Sequence, residues 1–137
     1  MPVVIINRPS SSGTRATFKK YALEGMDEAQ GLGLTEDSNG TVKKTIGETD
    51  GAISYIGLSY LDATVKAIKL DGVEANAANI ADGKYPIWAY EHMYTKGEPT
   101  GTAKKFIDYI MTDEVQKGII AKLKYVSILD MKVQREN

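Results

Sequence analysis

Val3, Val4, Ile5 and Ile6 form an unbroken apolar, β-branched run near the start of the chain. Without alternation of apolar and polar positions, such a run predicts a strand of a parallel sheet buried on both faces. It breaks at Arg8-Pro9-Ser10-Ser11-Ser12-Gly13, which is turn chemistry, and Phe18, Tyr21, Ala22 and Gly25 then recur at helical spacing from Thr14 onward. Strand, small-residue loop and helix thus follow one another directly. From Gly25 to Gly40 glycines and acids dominate and read as loop or short turns, after which Val42 and Ile46 suit a short helix ending near Gly47. Ala52 to Gly57 reads as a strand, Leu58 to Leu61 as a turn of helix, Val65 to Leu70 as a strand, and Asp71-Gly72 as a tight turn.

The second half continues with a short helix over Asn76 to Asp82, stopped by Gly83-Lys84-Tyr85-Pro86, and an aromatic-rich strand over Ile87 to Tyr94. Ala103, Phe106, Ile107, Ile110 and Met111 share one helical face, the cleanest amphipathic pattern in the chain. Thr112, followed by Asp113 and Glu114, predicts an N-cap with acids in the first turn of a second helix through Val115, Ile119, Ile120 and Leu123. Residues 130–137 are polar and predict a frayed tail. The succession of strands and helices predicts an α/β fold, a central, mostly parallel sheet flanked by helices.

Composition narrows the function classes. A chain of 137 residues suits one compact domain. With 17 basic against 18 acidic residues there is no basic excess for a nucleic-acid stripe, and Lys19-Lys20, Lys43-Lys44 and Lys104-Lys105 read as solvated helix faces. The absence of cysteine excludes disulfides, thiolate metal sites and a Cys nucleophile. No apolar run approaches the roughly 20 residues of a membrane span. The single histidine, His92, stands in the aromatic segment without a partner pattern for metal or acid–base chemistry. Asp27, Glu28, Glu36 and Asp37 lack the spacing of a calcium loop. Tyr55, Tyr60, Tyr85, Trp88, Tyr90 and Tyr94 read as core and sheet surface rather than a base-stacking platform. No catalytic residue, metal site or cofactor is expected.

The loop Arg8 to Thr14 carries the one promising chemistry. Free amides at a helix start, with the positive end of the helix dipole, attract an anion. Ser12, Gly13 and Thr14 would supply such amides, Gly13 would allow close approach, the two hydroxyls could donate, and Arg8 could present a bidentate fork to two oxygens. The same pattern also fits a plain helix cap with Arg8 on a surface carboxylate. No Gly-Lys-Ser/Thr loop or dinucleotide fingerprint accompanies it.

The run Val3-Val4-Ile5-Ile6-Asn7-Arg8-Pro9-Ser10-Ser11-Ser12-Gly13-Thr14-Arg15 resembles the phosphate loop of the phosphate-specific receptors of bacterial ABC importers, which are type II periplasmic binding proteins. The similarity continues in order through Asp50 to Gly57, Lys69 to Val73, Gly83 to Ile87 and the helices around Phe106 and Gln116. The resemblance implies a partial type II periplasmic-binding-protein fold and an inorganic phosphate ligand held by Arg8, Ser12, Gly13 and Thr14, with Arg15 adding potential nearby. It also implies a membrane permease as partner and a place in the periplasm or on the outer face of the membrane. Family members are about twice this length, with two lobes closing on the ligand. Residues 1–85 would then be part of the second lobe, and residues 86–137 a return strand and helix pair that pack on the first. Surface left by that lobe would favour a homodimer or a domain swap. In some relatives an acid two residues after the arginine holds the guanidinium; here that position is Ser10. The first lobe would also supply the carboxylate that accepts the proton of hydrogen phosphate, a proton that sulfate lacks at neutral pH. The alternatives are a receptor for sulfate, molybdate or a phosphonate, an enzyme holding a phosphoryl group, and a purely structural domain.

Overall fold

The computed structural model describes residues 2–29, 31 and 33–136. Its sheet has three parallel strands in the order β2-β1-β3: β1 (Val4–Asn7), β2 (Leu34–Thr35) and β3 (Ala52–Ile53). Ile6 and Asn7 pair with Leu34 and Thr35 on one side, and Val4 and Ile5 with Ala52 and Ile53 on the other. Val4 to Ile6 of the apolar run thus lie in the central strand.

Helix α1 (Gly13–Tyr21) leads back from the end of β1, and α2 (Asn39–Glu48) lies against β1 and β3. Ile6 of β1 and Val42 of α2 are fully buried and form the heart of the core. Burial on both faces of β1 is not realised. Ile5 and its register partner Ile53 remain 39% and 40% exposed, because only the face carrying Ile6 is closed by α2.

Several local expectations hold. Asp71 and Gly72 both take positive φ, 50° and 81°, and Leu70 and Val73 exchange backbone hydrogen bonds of 3.0 and 2.8 Å across them, a two-residue turn with left-handed centre. Asn76 caps α3 (Ala77–Ala81), its side chain accepting from the Asn79 amide at 2.9 Å. Gly83, at φ 74°, ends the segment. Leu58–Tyr60 is a single 3-10 turn.

Other expectations fail for identifiable reasons. β2 arises within the stretch read as loop, of which Gln30 and Leu32, like Asn137 of the tail, lie outside the described residues. β3 stops at Ile53 because the Ser54 hydroxyl takes the Ile6 carbonyl at 2.5 Å, replacing the next rung of the ladder. Beyond the Leu70–Val73 bridge, Val65 to Leu70 and Ile87 to Tyr94 are not strands. A strand exists only with a neighbour to pair with, and among the described residues these segments have none.

Helix α4 (Gly101–Ile110) forms where the apolar stripe predicts it, yet that stripe is open: Phe106 is 58% exposed. The following helix is π-wound over Glu114–Ile120; Asp113 before it is already helical at φ −55° and ψ −39°, and Thr112 accepts from the Val115 amide through its hydroxyl at 3.5 Å and from the Gln116 amide through its carbonyl at 2.9 Å, while its hydroxyl donates to the Tyr109 carbonyl at 2.7 Å. Buried Gln116 joins the pair to the chain beyond it, donating to the Ile110 carbonyl at 2.9 Å and accepting from the Ser127 hydroxyl at 3.2 Å and the Ile128 amide at 3.3 Å. The tail is not frayed over 130–136. Arg135 lies between the rings of Tyr21 and Trp88, 4.0 and 3.9 Å from their centroids, and donates to the carbonyls of Pro86 and Trp88. The Lys132 amide donates to the Ala81 carbonyl at 2.9 Å.

Candidate anion site

The C-terminal ends of parallel strands, where helices begin, are the ordinary ligand edge of an open α/β sheet. Arg8 directly follows β1 at that edge. The Ser12 amide donates to the Pro9 carbonyl at 3.0 Å and closes the turn that leads into α1. Ser12 is 7% exposed and is the N-cap of α1, its Oγ accepting from the Arg15 amide at 3.2 Å. Its hydroxyl proton stays available for donation. Gly13 and Thr14 occupy the first turn, where amides have no carbonyl one turn back. A Cβ at Gly13 would meet no atom within 4 Å, and the space beside this helix start is open as close approach of a ligand requires.

Arg8 is 6% exposed. Its two terminal nitrogens donate to the Asn39 side-chain oxygen and to the Asp37 carbonyl, each at 3.1 Å, while Nε is buried with no protein acceptor. None of the ion pairs among the described residues includes it. The plain alternative, Arg8 on a surface carboxylate, is therefore not what the fold builds. A buried cation without a counter-charge costs several kcal/mol, on the order given by ion desolvation, unless an anion meets it.

Around this cradle lies a second layer that the sequence did not reveal. Arg15 donates to the Arg8 carbonyl at 2.6 Å and pairs through Nε with Glu28 at 3.4 Å, so it props the loop. Glu28 also receives the Tyr55 hydroxyl, and the Tyr55 ring stacks on Phe18 of α1 at 4.3 Å between centroids. Burial first, then the hydrogen bond and charge of Glu28, push the Tyr55 hydroxyl well above the ordinary phenolic range. A raised folded-state value means that this contribution to stability is complete below the unfolded value, about pH 10, and is lost as pH rises beyond it. In an alkaline absorbance titration one tyrosine should ionise above the ordinary phenolic range, and Tyr55→Phe should remove that late step. An unchanged titration curve would refute the assignment.

The PBP superfamily domain matches residues 1–114. The chain belongs to the PBP superfamily. Phosphate-binding protein PstS of Bacillus subtilis is 54% identical over 98% of this chain and 44% of its own length, and PstS 2 of Streptococcus agalactiae is 29% identical over 90% and 45%. Among solved structures, a phosphate ABC transporter substrate-binding protein of Clostridium perfringens with bound phosphate superposes with a TM-score of 0.77 at 33% identity, covering 93% of this chain and 52% of that one. A phosphate-binding protein of Streptococcus pneumoniae, 24% identical with a TM-score of 0.68, has the same fold. This PBP domain spans about half the length of the relatives it matches. Its parallel sheet and flanking helices are the corresponding part of the type II fold.

Two further features bear on the site. Ser10 is exposed, and Asn39 with the Asp37 carbonyl holds the guanidinium. The polar helix start Asp37-Ser38-Asn39 was the only sequence signal for that role. A cleft of about 630 Å³ lies away from the cradle between α3 and the chain around Tyr125 to Lys132, and no residue of Arg8 to Thr14 lines it.

Proposed function

We propose that this PBP domain binds inorganic phosphate as part of the solute receptor of an ABC-type importer, with Arg8, Ser12, Gly13 and Thr14 forming its share of the anion site. The observation that carries this reading is the buried Arg8 guanidinium, which carries its full charge without a carboxylate, at a strand end followed by a capped helix start. Arg8 presents its remaining N–H groups to two phosphate oxygens, the Gly13 and Thr14 amides meet the others, and the Ser12 and Thr14 hydroxyls donate as well. No bond is made or broken, so the chain acts as a receptor and not as an enzyme. The named phosphate-binding relatives support this ligand over sulfate or molybdate.

In this reading residues 1–85 belong to the second ligand-binding lobe, and residues 86–137 return to pack on the first. The open apolar faces of α4 and Glu114–Ile120 support it, since each is built to be covered. A permease is the partner that receives the phosphate, on the outer side of the membrane, and a dimer through the same open faces is the competing use of that surface. Calorimetric titration of phosphate and of sulfate at fixed ionic strength, into this chain alone and joined to a first lobe, should give saturable phosphate heat in the joined form with sulfate far weaker. Silence toward phosphate in the two-lobed form would overturn the proposal.

A further inference from the structure

Two groups hold the Arg8 fork, the Asp37 carbonyl and the Asn39 side-chain oxygen, each 3.1 Å away. The Asn39 oxygen accepts a second hydrogen bond, from the Gly57 amide at 3.2 Å. Both neighbours are donors, so the network itself decides which end of the Asn39 amide faces them. Asn39 is also the first residue of α2, whose start is locked by a capping box: the Ser38 hydroxyl accepts from the Thr41 amide at 3.1 Å and the Ser38 amide donates to the Thr41 hydroxyl at 3.3 Å. A rigid helix start therefore ties Arg8 to the strand-end segment at Gly57.

The chemistry of the acceptor matters as much as its position. A carboxylate in the same place could accept the same two hydrogen bonds, but it would neutralise the guanidinium and place a negative charge beside any bound anion. An amide oxygen orients the fork and leaves its charge whole. We propose that Asn39 is a positioning residue of the anion site whose neutrality sets the affinity, holding Arg8 for an oxyanion without competing for it. The inference rests on the phosphate-receptor reading and deepens it.

Asn39→Asp separates charge from geometry, because the two side chains have nearly the same shape. Phosphate titration into the two-lobed receptor, beside thermal melting without phosphate, gives the readout. For Asn39→Asp the expected result is an unliganded melting temperature equal to or above wild type, from the new ion pair, together with affinity weakened on the order of ten- to a hundredfold. A purely structural role predicts no loss of affinity, since both hydrogen bonds are kept. Asn39→Ala should weaken both stability and affinity, because the fork and the Gly57 amide lose their shared acceptor. Wild-type phosphate affinity in either variant would overturn the inference and leave the receptor reading standing. Failure of the wild-type receptor itself to bind phosphate would overturn both.

Discussion

Arg8→Ala should abolish measurable phosphate binding while leaving the unliganded chain about as stable as before. Each charge-assisted hydrogen bond from a guanidinium to an anion contributes about 1.5–3 kcal/mol. Losing two of them costs about 3–6 kcal/mol, a factor on the order of 10² to 10⁴ in affinity. Stability behaves differently. The substitution removes two hydrogen bonds, to Asn39 and to the Asp37 carbonyl, but it also removes a cation that is 6% exposed and has no carboxylate beside it. These effects oppose each other, because a desolvated charge without its partner is itself destabilising. Melting curves with and without phosphate are the check. Wild type should melt higher with phosphate, since a ligand bound only by the native state stabilises by mass action, and Arg8→Ala should show no such rise. A variant that melts far lower but keeps the phosphate-induced rise would make Arg8 a structural residue.

Gly33→Ala should destabilise the chain by more than about 3 kcal/mol, the combined effect of backbone strain and a clash that only a backbone shift can relieve. Gly33 has φ 88°, and a Cβ there would fall 1.8 Å from the Ile5 carbonyl oxygen and 2.7 Å from its carbon. Both clashing atoms belong to the central strand, so relief means moving β2 away from β1 and breaking the Ile6–Leu34 and Asn7–Thr35 pairing. Pairing between β1 and β3 does not pass through Gly33. Denaturant unfolding would measure the loss, and amide exchange at Leu34 and Thr35 would rise more than at Ala52 and Ile53. A change below about 1 kcal/mol, the size of an ordinary surface glycine substitution, would show that β2 is not held as described.

The elements legible in the sequence are those whose causes lie within a few residues. The β1–loop–α1 unit follows from a β-branched run, a Pro-Ser turn and a Ser N-cap, and the turn at Asp71-Gly72 follows from two residues that tolerate positive φ. The four proposed site residues could be named for the same reason: they are neighbours in one continuous segment. The family, too, could be reached from that segment and the order of the weaker matches after it.

What the sequence could not determine depends on groups brought together from far apart. Asn39 lies 31 positions from Arg8 and its role exists only because α2 starts beside the end of β1. Glu28 and Tyr55 are 27 positions apart and meet behind the loop. The strand expected over Ile87 to Tyr94 does not form, and the apolar stripe of α4 forms but stays open, because a strand needs a hydrogen-bonding neighbour and a stripe needs a surface to cover it. Local chemistry thus determined where the proposed anion loop lies and which groups it offers. Only the tertiary structure decided that its arginine is buried, oriented by a neutral amide and left with its charge, because burial and counter-charge are properties of the packed chain and not of any segment.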